Sequence, residues 1–219
     1  EQAGSVLKKT VLELGGSDPY LILKDADIES AAETCVASRL INSGQSCIAA
    51  KRFIAVEDVY DEFLDLVLTK MKNKKIGDPF NEDTDIGPMA RFDLRDQLHE
   101  QVKKSVEKGA ECILGGKVPQ GEGAFYPATV LTNIKKGMPA YEEELFGPVA
   151  SVLKAGNEEE AISIANDTQY GLGAAVFSKD VKRAEKIASE ELQAGCCFVN
   201  EFVKSDPRLP FGGIKESGY

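Results

Sequence analysis

The chain has 219 residues, 42% of them apolar, enough for one large core or two small ones. Its net charge of −10, from 26 basic and 36 acidic residues, sets it against nucleic acid and anionic membranes as partners. No apolar run approaches the ~18 residues of a membrane span. Five cysteines without a CxxC pair argue against a disulfide framework and fit a reducing cytoplasm. A single histidine, His99, excludes most zinc sites and weakens a Cys–His protease reading.

In chain order, Glu1-Gln2-Ala3-Gly4-Ser5 reads as the tail of a helix already under way. Residues 10–14 read as a strand and 20–23 as a short extended piece. Asp27 is a good N-cap for a helix to about Leu40, whose Ile28, Ala32, Cys35, Val36 and Leu40 share one face. A strand over 52–56 follows, then a helix marked by Val59, Phe63, Leu66, Val67 and Met71. It closes on Lys70, Lys72, Lys74 and Lys75, cations that suit a helix C-terminus.

After a loop from Pro79 to Pro88, a helix carries Leu94, Leu98, Val102 and Val106, with His99 on its surface, and Gly109 ends it. Strands at 112–114 and 129–131 flank a surface excursion from Gly115 to Gly123. A strand over 149–153 leads to a helix through Ala165, where Asn157 and Glu160 form a capping-box-like start. A strand over 174–177, a helix over 181–192 and a strand over 196–199 complete an alternation typical of an α/β sheet. Pro207, Pro210, Gly212 and Gly213 make a constrained loop. The chain stops at Gly218-Tyr219, and both ends read as cut from a longer protein.

Two residues stand out chemically. Cys47 ends Asn42-Ser43-Gly44-Gln45-Ser46-Cys47, a flexible turn that can expose a sulfur, and a thiolate is a strong nucleophile. Glu13 lies in Val11-Leu12-Glu13-Leu14-Gly15-Gly16, where burial would raise its pKa toward the range that activates water. Oxidising an aldehyde to an acid needs a nucleophile, oxyanion donors, a hydride acceptor and such a base. Cys47 and its backbone N–H could supply the first and part of the second, and Glu13 the fourth. The acceptor is not readable from pattern: Gly171-Leu172-Gly173 is no complete GxGxxG and reads as turn-to-strand structure, and there is no P-loop.

With their flanking residues, these segments resemble the aldehyde dehydrogenase superfamily. Glu143-Glu144-Leu145-Phe146-Gly147-Pro148-Val149 and the stretch from Asn200 to Gly218, with Pro210-Phe211-Gly212-Gly213-Ile214-Lys215, add two further matches in the family's order. The resemblance implies a three-layer α/β/α catalytic domain on a mostly parallel sheet and NAD or NADP as cofactor. It makes Cys47 the nucleophile and Glu13 the base. Glu144 would bind the nicotinamide ribose hydroxyls, Phe146 would pack beside the ring, and Leu14 would contact the cofactor. It divides the chain into 1–13, the end of a cofactor-binding domain; 14–212, the catalytic domain; and 213–219, a segment returning toward the cofactor domain. The family's phosphate loop, its oxyanion-hole asparagine and its subunit-joining strands lie outside these residues, which leaves a sheet edge exposed.

Ser17 and the stretch from Lys204 to Phe211 resemble the bacterial succinate-semialdehyde dehydrogenase group, which implies that Ser205 and Phe211 meet the substrate. Many enzymes of that group carry an arginine where Ile41 stands, and Arg39 would point elsewhere on a helix. Arg208 or an arginine upstream of this chain is then left to meet a carboxylate. Ala49 replaces the second cysteine that some forms use as a redox switch. The expected partner is a small aldehyde, the expected assembly a homodimer or homotetramer. A CoA-acylating enzyme is the alternative chemistry, disfavoured by Glu13; a folded but non-catalytic domain is the alternative for the isolated chain.

Overall fold

The computed structural model describes residues 1–218; Tyr219, the end of the expected return segment, lies outside the described residues. Seven strands form one sheet in the order β3-β4-β5-β2-β1-β6-β7: β1 (Pro19–Ile22), β2 (Arg52–Val56), β3 (Glu111–Leu114), β4 (Thr129–Thr132), β5 (Val149–Ala155), β6 (Gly173–Phe177) and β7 (Cys196–Val199). All neighbouring pairs are parallel except β3–β4. Strands β1, β2, β4 and β6 are buried at every residue, as strands covered on both faces must be. The edge strands differ: β3 alternates exposed and half-buried, and β7 is half-buried throughout. The expected α/β sheet is therefore present.

Chain order explains the layers. From β1 the chain passes through α2 (Ile28–Leu40) to β2, then through α3 (Glu57–Lys72), α4 (Phe92–Glu107), the β3–β4 pair and α5 (Pro139–Glu142) to β5. It then jumps back across the sheet through α6 (Glu158–Asn166) to β6 and through α7 (Val181–Lys186) to β7. Reversing direction with right-handed crossovers puts α2 and α3 on one face and α6 and α7 on the other. Helices α2 and α3 pack on each other, tied by Lys70, which reaches Glu29 and Glu33 at 2.6 and 2.8 Å. Asp27 caps α2 by accepting from Ser30 N, and Cys35 is buried in the core, both as expected.

Five local readings need correction. Residues 10–14 form no strand: a single bridge joins Glu13 to Gly218, because no sheet strand runs beside this segment. The 181–192 helix stops after Lys186 and continues as one π-helical turn, Ile187–Glu191, with Leu192 already extended. His99 is half-buried rather than a free surface residue, its Nδ1 3.2 Å from the Tyr126 hydroxyl. Val106 is 41% exposed; the buried face of α4 runs through Leu98, Val102 and Ser105. Asn157 caps α6, but Glu160 reaches back to Gly156 N at 2.7 Å, one residue beyond the capping-box position. A short first helix, α1 (Gln2–Ser5), buries no residue.

Candidate active site

The three segments singled out by sequence each enter a parallel strand. Residues 12–18 lead into β1, residues 44–51 into β2, and residues 143–148 into β5. Because β5, β2 and β1 are adjacent and parallel, their amino ends, and so the three segments, meet at one edge of the sheet.

The turn holding Cys47 is built with left-handed backbone. After α2, Asn42 (φ 50°), Ser43 (φ 55°) and Gly44 (φ 78°) reverse the chain. A non-glycine residue there costs about 1–2 kcal/mol, offset here by side-chain bonds from Asn42 Nδ2 to Gln45 O at 3.1 Å and from Ser43 Oγ to Gly87 O at 3.2 Å. Gly44 lies against the backbone of Gly147 with no room for a Cβ. The Arg39 guanidinium, fully buried, donates to Gly44 O at 2.6 Å. Gln45 Oε1 accepts from Ala90 N at 2.8 Å. Gly16 approaches from the other side, where an added Cβ would stand 2.9 Å from Cys47 O.

Beneath the turn sits a buried ionic cluster. Lys51 is 1% exposed; its Nζ donates to Ser46 O (3.2 Å), Cys47 O (2.9 Å) and Ala49 O (3.1 Å) and lies 3.2 Å from Glu144 Oε1. The same Oε1 accepts from Gly16 N at 3.1 Å, while Oε2 lies over Gly15. Asp18, also fully buried, accepts from Gly173 N at 3.1 Å through Oδ1. Burial pushes the Asp18 carboxyl up to about 7, against the pull of Lys51. Burial likewise holds the half-buried Cys47 thiol above its ordinary range, with Lys51 drawing it back down and Asp18 and Glu144 opposing that. Desolvation outweighs the nearby cation at the sulfur.

Glu13, Leu14 and Phe146 lie at the surface, Leu14 49% and Phe146 37% exposed. The burial expected of Glu13 is absent because its segment, with Val11 at 76% exposure, is covered by no sheet strand; Leu14 N donates to Ser217 O (3.0 Å), the Ser217 hydroxyl donates to Gly15 O (2.6 Å), and Glu13 bridges to Gly218. Ser205 is exposed and Phe211 half-buried. Arg208 beside them is paired with Asp206 at 2.6 Å. Thus the structure brings together the segments of Glu13, Cys47 and Glu144, and it makes no hydrogen bond from Ser205 to any of them among the described residues.

Sequence reasoning missed Lys51, Asp18 and Arg52. Arg52 is fully buried and donates to Ser17 O (3.1 Å), Ile164 O (2.9 Å) and Ala165 O (3.0 Å), pinning the segment ahead of β1 to the end of α6. A signal existed on the entering side only: Lys51-Arg52 run straight into Phe53-Ile54-Ala55-Val56, and Asp18 precedes Tyr20-Leu21-Ile22-Leu23 by one proline, whereas Lys24 and Glu57 at the far ends stay exposed. Among the described residues no group of His, Cys, Asp and Glu could hold a metal ion, and no helix is long and apolar enough to cross a membrane.

The sequence model of the aldehyde dehydrogenase family matches residues 1–219. The chain belongs to the aldehyde dehydrogenase family. Among curated relatives, a succinate semialdehyde dehydrogenase of Escherichia coli K12, named for NAD(P)+, is 48% identical over 218 residues, spanning 100% of this chain and 47% of that protein. An NADP+ succinate-semialdehyde dehydrogenase of Mycobacterium avium is 48% identical, over 99% of this chain and 46% of that protein. Among solved structures, the succinic semialdehyde dehydrogenase of Streptococcus pyogenes in complex with NADP+ superposes with a TM-score of 0.95 at 41% identity, covering 100% of this chain and 48% of that one. This chain thus spans about half the length of the aldehyde dehydrogenases it matches.

Proposed function

We propose that this chain is the catalytic half of an NAD(P)-dependent aldehyde dehydrogenase acting on a semialdehyde, with succinate semialdehyde the leading candidate. The observation that carries the reading is the convergence of the Cys47 turn, the Glu13–Gly16 segment and Glu144 at one sheet edge. The relatives' names supply the substrate class and cofactor. On this reading residues 14–212 are the catalytic domain, 1–13 end the cofactor domain and 213–219 return to it, within a cytoplasmic homodimer or homotetramer.

Cys47, its thiol proton passed to solvent water, attacks the aldehyde carbon as the thiolate and forms a thiohemiacetal, whose oxyanion the Cys47 N–H can meet. NAD(P)+, when bound, supplies the hydride acceptor that turns this adduct into a thioester. Glu13 then takes a proton from water, the water oxygen bonds to the acyl carbon, and the C–S bond breaks to release the carboxylic acid and return the thiol. The residues present fit the cofactor: Glu144 keeps Oε2 outside its bonds to Lys51 and Gly16, and a carboxylate can accept from two hydroxyls. Leu14 and Phe146 offer exposed apolar surface on the flanking segments for a nicotinamide ring. Ser205 and Phe211 are assigned to the substrate.

The test is NADH and NADPH formation by the full-length protein on a panel of aldehydes, with Cys47→Ala and Glu13→Gln alongside. Succinate semialdehyde should give the highest kcat/KM, and Cys47→Ala should abolish turnover; full activity of Cys47→Ala would sink the mechanism. For the isolated chain a second reading, folding without turnover, is favoured by the exposure of Glu13 and the raised Cys47 thiol. Absence of NAD(P)H formation by residues 1–219 alone, under conditions where the full-length protein turns over, is the result it expects.

A further inference from the structure

The ionic cluster under the Cys47 turn has a shape that packing alone does not require. A lysine entering a strand ordinarily extends its ammonium to water, because burying the charge is costly. Lys51 instead folds back under its own turn, where Nζ spends three hydrogen bonds on the carbonyls of Ser46, Cys47 and Ala49 and faces Glu144. Those carbonyls belong to the residues that aim the Cys47 side chain and its N–H. Glu144 in turn ties to Gly16 N, whose own segment lies against Cys47 O.

We propose that Lys51 is a positioning residue that ties the backbone of the nucleophile's turn to Glu144, so that one cation sets both the aim of Cys47 and the place of the cofactor-facing carboxylate. This rests on the reading of Cys47 as nucleophile and Glu144 as cofactor contact. Lys51 touches neither substrate nor sulfur through a hydrogen bond; it acts through carbonyls and through its charge. The charged groups facing it are Glu144 and Asp18, which stabilise the ammonium, and Arg39, which opposes it. The charged groups acting on the Cys47 sulfur are Lys51, Asp18 and Glu144. Loss of the ammonium should therefore raise the thiol further, and loss of Glu144 should lower it.

The experiment alkylates Cys47 in the full-length protein with iodoacetamide across pH, following the Cys47 peptide by mass spectrometry, for wild type, Lys51→Met, Lys51→Arg and Glu144→Gln. Lys51→Met should shift the alkylation midpoint upward and slow the reaction at neutral pH about tenfold, the value of one pKa unit in thiolate fraction. Lys51→Arg should recover most of that rate. Glu144→Gln should move the midpoint the other way, which keeps the proposal testable if Lys51→Met does not fold. In steady state, Lys51→Met should raise KM for the nicotinamide cofactor as well as lower kcat, whereas a merely structural role would scale activity with the folded fraction. Profiles of Lys51→Met and Glu144→Gln that superimpose on wild type would overturn the proposal. Alkylation needs no aldehyde turnover, so a wild-type protein inactive on every aldehyde would overturn the functional reading through a different result.

Discussion

The turn carrying Cys47 and the segment carrying Glu13 are held in opposite ways. The turn is locked from several directions: Arg39 beneath Gly44, Gly147 against it, Gln45 across to Ala90, and Lys51 under three carbonyls. The Glu13 segment is an exposed strip of apolar residues, Val11 and Leu12 among them, that meets the rest of the chain at Ser217 and Gly218. Backbone with few buried contacts opens at low free energy, so the two proposed reactive groups sit on elements of very different local stability. The lesson is that this chain builds the Cys47 side of the proposed site from its own core, while the Glu13 side is left at the surface of a chain spanning about half its relatives' length.

Substitutions can break or sharpen that contrast. The largest effect belongs to Cys47→Ala, expected to lower kcat of the full-length protein at least about a thousandfold, as removal of a covalent nucleophile does; a stopped assay for NAD(P)H checks it. Next comes Arg52→Leu, which strands three buried carbonyls at Ser17, Ile164 and Ala165 and should cost about 3–5 kcal/mol, read from the urea midpoint. The cost falls on the core side of the contrast, so a loss under 1 kcal/mol would mean the lock is elsewhere.

Asp18→Asn tests the cluster by pH. The native carboxyl holds its proton up to about 7, whereas the ordinary carboxyl releases it near 3.8. Between those values the unfolded chain binds fewer protons, so wild-type stability falls as pH rises through the window and stays lowered above it. Asn keeps an acceptor for Gly173 N and removes the titration. The slope between pH 4 and 7 should flatten by an amount on the order of a few kcal/mol in total. Denaturant melts at three pH values would show it; an unchanged slope would place the titration on another group. Smallest of all, Glu13→Ala should change the unfolding free energy of residues 1–219 by no more than about 0.5 kcal/mol, as expected for an exposed side chain, even as it removes the proposed base in the full-length protein.

The sheet was legible because its strands are short apolar runs bounded by turns, and the helices because Asp27, Asn157 and Gly109 mark their ends. The meeting of the three segments was legible too, in hindsight, since each directly precedes a strand of a parallel set. The Glu13 segment was misread because Thr10-Val11-Leu12-Glu13-Leu14 has strand composition, and strand composition makes a strand only where a partner edge exists. The π-helical turn after Lys186 leaves no compositional mark. Lys51 and Asp18 were overlooked because sequence places charges at the surface by default, and only the fold reveals that Glu144 and the turn's carbonyls wait to receive them.

The division of labour between the two regions is tested most directly in Glu13→Gln of the full-length protein. Mixing it with succinate semialdehyde and NAD(P)+, quenching within one turnover and weighing the intact protein should give a burst of about one NAD(P)H per active site. A succinyl group should be retained on Cys47, and the adduct should be lost in the Cys47→Ala, Glu13→Gln double variant. Unchanged steady turnover by Glu13→Gln, with no burst and no acyl adduct on Cys47, would contradict the account.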